Sequence, residues 1–414
     1  MSKLAINGGK ALYKSLVAKW PNYYPEDFDN LKDVLTSRVY GGIPFPGKYA
    51  SKCIEIVKEI MGIKYVTMVT NGSDALVIAL KALGILPGDE VITTGYSWVS
   101  TSGSIVKCNA IPVFADIDPK NCCIDPDDIK KLISSKTKAI IVVHLANQIC
   151  DMDAIMKIAR ENKLYVIEDC AHALYAKWNN QCVGTIGDIG TFSFEQSKVI
   201  TCGEGGMVVT QVQDLYEKIV AYANCGRKIR TEEEYFGRFL GWNHRMTEFQ
   251  AAILYGQFSH IEEWTNKLQK NADYLFSFIT EKCKYVKPLL NNRKEITRRQ
   301  NYCVLLKYSC DKIPLDIFCK AVRMEGAELE DRWYLAINDM PLFHVLKEEW
   351  PFIGEKYDIG VDVDSFDLKV CRNYVKNHII WIHYSSYSRD FEQIECFVKC
   401  IQKVEENIEE LVRK

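Results

Sequence analysis

A lysine lies between an apolar run and a glycine cluster in Thr191-Phe-Ser-Phe-Glu-Gln-Ser-Lys198-Val-Ile-Thr-Cys-Gly-Glu-Gly-Gly206. Thr191 to Phe194 predicts a short strand, and the glycines that follow exclude helix. A lysine at such a junction suits chemistry when it is partly desolvated. Its lowered pKa then leaves the amine free to form a Schiff base. A solvated turn lysine is the ordinary alternative, so the assignment depends on what else the chain supplies.

Five other groups belong to the same chemistry. Thr70-Asn71-Gly72-Ser73 follows one predicted strand and opens a helix. Gly72 and Ser73 there let backbone N–H groups approach an anion at the positive end of that helix. A plain N-cap by Asn71 or Ser73 is the competing reading. Asp169 ends the apolar run Leu164 to Ile167 and, if buried, needs a cationic partner; a helix-capping aspartate would look the same. His172 could touch a ring face or hydroxyl, or be structural. Trp98, in Gly95-Tyr-Ser-Trp-Val-Ser100, could stack on a planar ring or fill the core. Ser193 could add a hydroxyl to a phosphate. The set is an anion cup, a flat aromatic, a strand-end aspartate and then a lysine. Together they fit pyridoxal 5'-phosphate (PLP) held as an aldimine on Lys198, with Asp169 keeping its ring nitrogen protonated.

Positioning these groups requires strands that all end on one side. Apolar runs at 66–69, 90–93, 111–114, 139–143 and 164–167 alternate with helical periodicity at 74–83, 98–106, 126–134 and 151–162. That alternation predicts an α/β unit, a mostly parallel sheet between helices, with ligands beyond the carboxyl ends of its strands. Residues 245–285 read as a long bridging helix. Beyond 290, separated strands at 302–306 and 378–382 and helices at 314–325 and 389–411 predict a smaller α+β domain. The expected division is 1–255, lead-in plus large domain, and 256–414, linking helix plus small domain. Within the lead-in, the turn-rich segment Gly41–Gly47 could form the lip of a site.

Composition narrows the function class. The 414 residues carry 52 Lys+Arg against 54 Asp+Glu, a net charge of -2, which argues against a nucleic-acid partner. The longest apolar run, 139–143, is strand-sized, so no membrane span is expected. The first residues lack a signal-peptide core, and the chain reads as cytoplasmic. Sixteen cysteines include no Cys-x-x-Cys, so no metal site is expected.

The motifs also resemble a known family. Asn71-Gly-Ser-Asp-Ala-Leu76, Leu86-Pro-Gly-Asp-Glu-Val-Ile92, Tyr96-Ser-Trp-Val99, His144-Leu145 with Asp151-Met-Asp153, Glu168-Asp-Cys-Ala-His172, Gly187 to Phe194, Ser197-Lys198, Gly203-Glu-Gly-Gly206 and Asn243-His-Arg-Met246 follow one another as in the DegT/DnrJ/EryC1/StrS sugar aminotransferases. That resemblance implies the aspartate-aminotransferase (type I PLP) fold with a seven-stranded-type sheet. It makes Lys198 the Schiff-base lysine, Asp169 the partner of the pyridine nitrogen, Trp98 the stacking residue and His172 a ring neighbour. Gly72, Ser73 and Ser193 become phosphate binders. Asn243 matches an asparagine reaching the neighbouring subunit's phosphate, which implies a homodimer with shared sites.

Trp20-Pro21 and the stretch Glu195–Gly206 are most similar to the branch that aminates keto-cyclitols such as scyllo-inosose. Two departures stand near the expected substrate end: Ala146-Asn147-Gln148 in place of aromatic-Gly-x, and Glu195 where glutamine is common. The function implied is ping-pong transfer of an amino group from L-glutamine or L-glutamate to a keto-cyclitol or keto-sugar, with Lys198 moving the proton. Arg245 or Arg227 would receive the donor carboxylate. Competing readings are an aminotransferase on a nucleotide-linked keto-sugar for surface glycans, and a non-catalytic PLP-binding regulator. A dehydratase on this fold, which replaces the lysine by histidine, is disfavoured by Lys198.

Overall fold

The structure, a computed structural model, describes residues 3–43, 45–228, 237–344 and 365–412; Pro44, in the turn-rich segment, lies outside them. Seven strands form the main sheet: β1 (Tyr65–Val69), β2 (Glu90–Thr94), β3 (Ile111–Ala115), β4 (Thr137–Val143), β5 (Tyr165–Asp169) and, after a short hairpin β6 (Lys177–Trp178) and β7 (Gln181–Cys182), β8 (Ile189–Ser193) and β9 (Gly206–Thr210). Their order is β1-β9-β8-β5-β4-β2-β3. Only β9 runs against the rest, pairing antiparallel with both β1 and β8. The parallel register sets Val143 beside Asp169 and Asp169 beside Thr191, so the ends of three strands meet at one edge.

Helices α1 (Pro25–Ser37) and α2 (Lys48–Met61) precede the sheet. Interleaved with its strands are α3 (Gly72–Ala82), α4 (Val99–Lys107), α5 (Pro126–Leu132), α6 (Met152–Asn162) and α7 (Gln213–Ala223). Alternating strand residues serve two cores. Ile140 and Val142 face one, while Ala139 and Ile141 face the other beneath α3 and α7. This period-two division is what a sheet covered on both faces demands.

The predicted long helix at 245–285 is two helices, α8 (Glu248–Ser259) and α9 (Ile261–Lys282). His260 separates them, with its ring stacked on Tyr24 at 3.9 Å and its Nε2 2.6 Å from Glu26. α8 is apolar nearly all round and not on one stripe, so periodicity alone could not locate its end. α8 packs against α1 and α2, whereas α9 packs against β10 (Val286–Pro288) and the helix Phe391–Glu406. The expected boundary after residue 255 falls inside α8.

The later residues form an antiparallel sheet of β10, β12 (Cys303–Tyr308) and β13 (Ile379–His383), flanked by α10 (Leu315–Glu325) and the helix Phe391–Glu406. Between β10 and β12, β11 (Ile296–Arg298) pairs with β6, tying this half to the first. Asp116 makes a second tie. Its carboxylate accepts Val370 and Cys371 N–H, each at 2.8 Å, at the start of the helix Lys369–Asn377. No helix among the described residues is long and apolar enough to cross a membrane.

Candidate active site

A cavity of about 670 Å³ opens at the carboxyl ends of the parallel strands. Gly72, Ser73, Trp98, Asp169, His172, Ser193 and Lys198 all line it. Asn243 is exposed and outside it, in a bridge with Asn224.

The floor is built by β5 and α4. Asp169 is buried, with Oδ1 accepting Ala171 N–H at 3.2 Å and Oδ2 accepting the Thr101 hydroxyl at 2.9 Å. Burial raises its pKa, against the lowering effect of those two donors and of Lys198. No protein cation pairs with it among the described residues, so a ligand cation would complete it. Its neighbour Glu168 has a different task. Entirely buried, it accepts N–H from Gly184, Ile186 and Gly187 and lies 3.1 Å from His144. It folds the loop before β8 and does not touch the cavity.

At the other end of the cavity, the side chain of Asn71 caps α3 by accepting Asp74 N–H at 2.7 Å. The ordinary capping role therefore belongs to Asn71. The amides of Gly72 and Ser73 donate to no protein acceptor among the described residues, and Ser73 Oγ bonds Ser100 Oγ at 2.7 Å. A side chain at Gly72 would begin 2.7 Å from Ser193 Cβ, and one at Gly206 would begin 2.3 Å from Asn71 O. Glycine at both positions lets three backbones close around the helix terminus. Free amides, hydroxyls and the helix dipole make this end a receptor for a phosphate.

Lys198 projects from the loop after β8. Its Nζ lies 4.5 Å from the centre of the Tyr302 ring. Burial lowers its pKa, partly offset by Glu195, Cys303 and Asp169. That is the state a nucleophilic amine requires. Ser197 and Lys198 are held from behind, where Ser197 O accepts the Tyr384 hydroxyl at 3.2 Å and lies 3.2 Å from His383 Nε2. Trp20 reaches across from the lead-in, and its indole N–H donates to Gln196 O at 3.0 Å.

Two rings bound the space between. Trp98 is 56% exposed at the mouth, an orientation with a free face for a planar ring and unlike that of a core tryptophan. His172 is buried and accepts Ala146 N–H on Nδ1 at 3.2 Å, while its ring packs on Tyr302 at 4.4 Å. Burial, then Lys198, holds its pKa well below the usual histidine value, so it is neutral. A pyridine ring with one phosphate fits these donors: cup, flat aromatic, uncompensated carboxylate and lowered amine.

Two expectations meet a different geometry. Ala146-Asn147-Gln148 does not line the cavity but lies buried behind His172, where Gln148 Nε2 donates to Leu289 O at 2.9 Å. Ala146 adopts φ 55°, which turns the chain inward. Arg227 and Arg245 do not line the cavity either; both bond Asn224, Arg245 also approaching Cys225 Sγ at 3.5 Å. Tyr302, Trp333 and Tyr334 complete the wall and carry no motif. Their sequence signal is only that of aromatic residues in an α+β region.

Residues 25–352 match the DegT/DnrJ/EryC1/StrS aminotransferase family. A protein of Micromonospora echinospora provisionally assigned as an L-glutamine:3-amino-2,3-dideoxy-scyllo-inosose aminotransferase is 40% identical over 410 residues, covering 98% of each chain. The L-glutamine:scyllo-inosose aminotransferase of Streptomyces griseus is 30% identical over 426 residues, covering 100% of each. In fold, 3-amino-5-hydroxybenzoic acid synthase superposes with a TM-score of 0.82 at 24% identity, over 96% of this chain and 100% of its own. The chain belongs to the DegT/DnrJ/EryC1/StrS family and is an aminotransferase.

Proposed function

We propose that the protein moves an amino group from L-glutamine to a keto-cyclitol, with PLP as cofactor on Lys198. One observation carries this reading: the lowered amine of Lys198, the uncompensated Asp169 and the Gly72–Ser73–Ser193 cup converge on one cavity. When bound, PLP supplies an electrophilic carbon and a pyridinium that accepts electron density. Asp169, fixed by Thr101 and Ala171, would keep the proton on the ring nitrogen. Gly72, Ser73 and Ser193 would hold the phosphate, and Trp98 would offer its free face to the ring. Lys198 Nζ would take a proton from the donor Cα and deliver it to the cofactor carbon that carried the aldehyde; in the second half of the cycle it would take a proton from that carbon and give it to the acceptor carbon. His172, neutral, would neighbour the ring without adding charge.

Charge separates the two acceptor classes. Among the described residues lining the cavity, Asp74, Asp169, Glu195 and Glu204 are acidic, Lys198 is the one lysine, and no arginine is present. A nucleotide diphosphate would meet this lining with like charge, whereas an uncharged or cationic cyclitol would not. The full-length relatives named for glutamine and scyllo-inosose-type ketones support the same acceptors, including the one that already bears an amine. We place the reaction in the cytoplasm and in a homodimer, with Asn243 serving the neighbouring site. The test is a pair of half-reactions. L-glutamine should discharge the visible absorbance of the PLP-loaded enzyme, and a keto-cyclitol should restore it. Restoration by nucleotide-linked keto-sugars alone would refute the acceptor assignment.

A further inference from the structure

We infer that Glu195 is the receptor for an ammonium group on the acceptor, and so selects an amino-bearing keto-cyclitol over its hydroxyl counterpart. This deepens the keto-cyclitol reading and rests on it.

Glu195 lines the cavity three residues from Lys198. Its backbone carbonyl accepts Lys198 N–H at 2.9 Å, and its backbone N–H points to Ser193 Oγ at 3.4 Å. The side chain is therefore carried on the same tight loop as the lysine. Its Oε2 is already used, accepting Ser197 N–H at 3.0 Å and the Ser197 hydroxyl at 2.6 Å. Ser197 Oγ in turn lies 2.9 Å from Tyr302 Oη. Among the described residues, no donor reaches the other oxygen, Oε1, and no lysine, arginine or histidine forms an ion pair with Glu195. A half-buried carboxylate with one oxygen fixed and the other unclaimed is an oriented acceptor for a ligand cation.

The other acidic residues of the lining are placed differently. Asp169 faces the floor. Asp74 is tied to Thr70, Asn71 and His244. Glu204 is exposed at the rim, where water screens its charge. With Asp169 assigned to the cofactor's ring nitrogen, Glu195 is the carboxylate among the described lining residues that is left inside the cavity without a cation. An ammonium offers it a charge-assisted hydrogen bond, whereas a hydroxyl at the same ring position offers a neutral one.

The test compares 3-amino-2,3-dideoxy-scyllo-inosose with 2-deoxy-scyllo-inosose as acceptors for the PLP-loaded wild type, Glu195→Gln and Glu204→Gln. Alongside, binding of an aminocyclitol without a ketone, and of a cyclitol bearing only hydroxyls, is measured by calorimetry. The wild type should favour the amine. Glu195→Gln should lower that preference by roughly 10- to 100-fold, mainly through KM, and weaken aminocyclitol binding to match. Glu204→Gln should keep the preference. No preference in the wild type would overturn the inference and leave the acceptor class standing. An equal loss on both acceptors in Glu195→Gln would also overturn it, because that is the pattern of a merely structural residue. Were neither ketone used, the acceptor reading would fall, and the calorimetric comparison in the wild type would still decide whether an ammonium is bound. Should Glu195→Gln not fold, Glu195→Asp, which keeps the charge, should retain part of the preference.

Discussion

Thr101 Oγ1 donates to Asp169 Oδ2 at 2.9 Å, joining the first turn of α4 to the last residue of β5. The hydroxyl stabilises the charged form of a carboxylate that burial would otherwise neutralise. Thr101→Val keeps the shape and removes that donor. The Asp169 pKa should rise further, and kcat/KM should fall about 10-fold, the worth of one hydrogen bond to a charged group. Asp169→Asn should cost on the order of 100- to 1000-fold. Steady-state kinetics on both variants checks the order, and equal losses would contradict it.

Replacing Lys198 by alanine removes both the attachment point and the base. Transamination should fall by more than roughly 1000-fold, with the unfolding midpoint kept within a few degrees. Single-turnover absorbance with L-glutamine is the measurement. Appreciable turnover in Lys198→Ala would remove the foundation of the proposed chemistry.

The contact between Gly72 and Ser193 predicts a suppressor. Gly72→Ala sets a methyl 2.7 Å from Ser193 Cβ, a distance that forces the cup open, and PLP affinity should drop about 10- to 100-fold. Adding Ser193→Gly removes the obstructing atom and should recover part of the loss despite losing a hydroxyl. Equilibrium dialysis of PLP against the single and double variants reads the coupling.

His383 carries a pH signature. Burial pushes its pKa down to about 4 from an ordinary 6.5, with Lys198 adding to the fall and the Ser197 carbonyl opposing it. Between these values the unfolded chain binds a proton that the folded chain refuses, so stability is full above pH 6.5 and is lost as pH falls toward 4. From pH 7 to pH 5 the loss is about 2 kcal/mol. Urea unfolding of the cofactor-free protein at both pH values, compared with His383→Gln, should show this share of the acid sensitivity disappear in the variant.

The sheet and the first half of the site were legible because local patterns determine them. Apolar runs ending in Asn71-Gly72-Ser73, Trp98, Asp169 or Ser193 place each residue at a carboxyl edge wherever the helices lie. Legibility ended where distant segments meet. Tyr302, Trp333 and Tyr334 reach the cavity only through the pairing of β12 with β13 and the packing of the intervening loop, and no spacing along the chain announces that. The break at His260 was hidden because α8 is apolar nearly all round and presents no stripe whose end could be read. Glu248, buried where it accepts Tyr49 and Ala50 N–H at 2.7 and 3.1 Å, looks in sequence like any charge on a helix. Asn243 lies outside the cavity of one chain, where the proposed neighbouring subunit would bring it to the other site.

The crowding around Asn71, Gly72, Ser193 and Gly206 also bears on how this scaffold could be redirected. Any branched substituent at 72 or 206 collides with main chain or with another constrained position, so drift there must proceed by simultaneous changes. Directed-evolution libraries gain little from diversifying these positions. New acceptors should be sought by mutating Trp333 and Tyr334, on the wall that the later residues supply, while the anion end is left untouched.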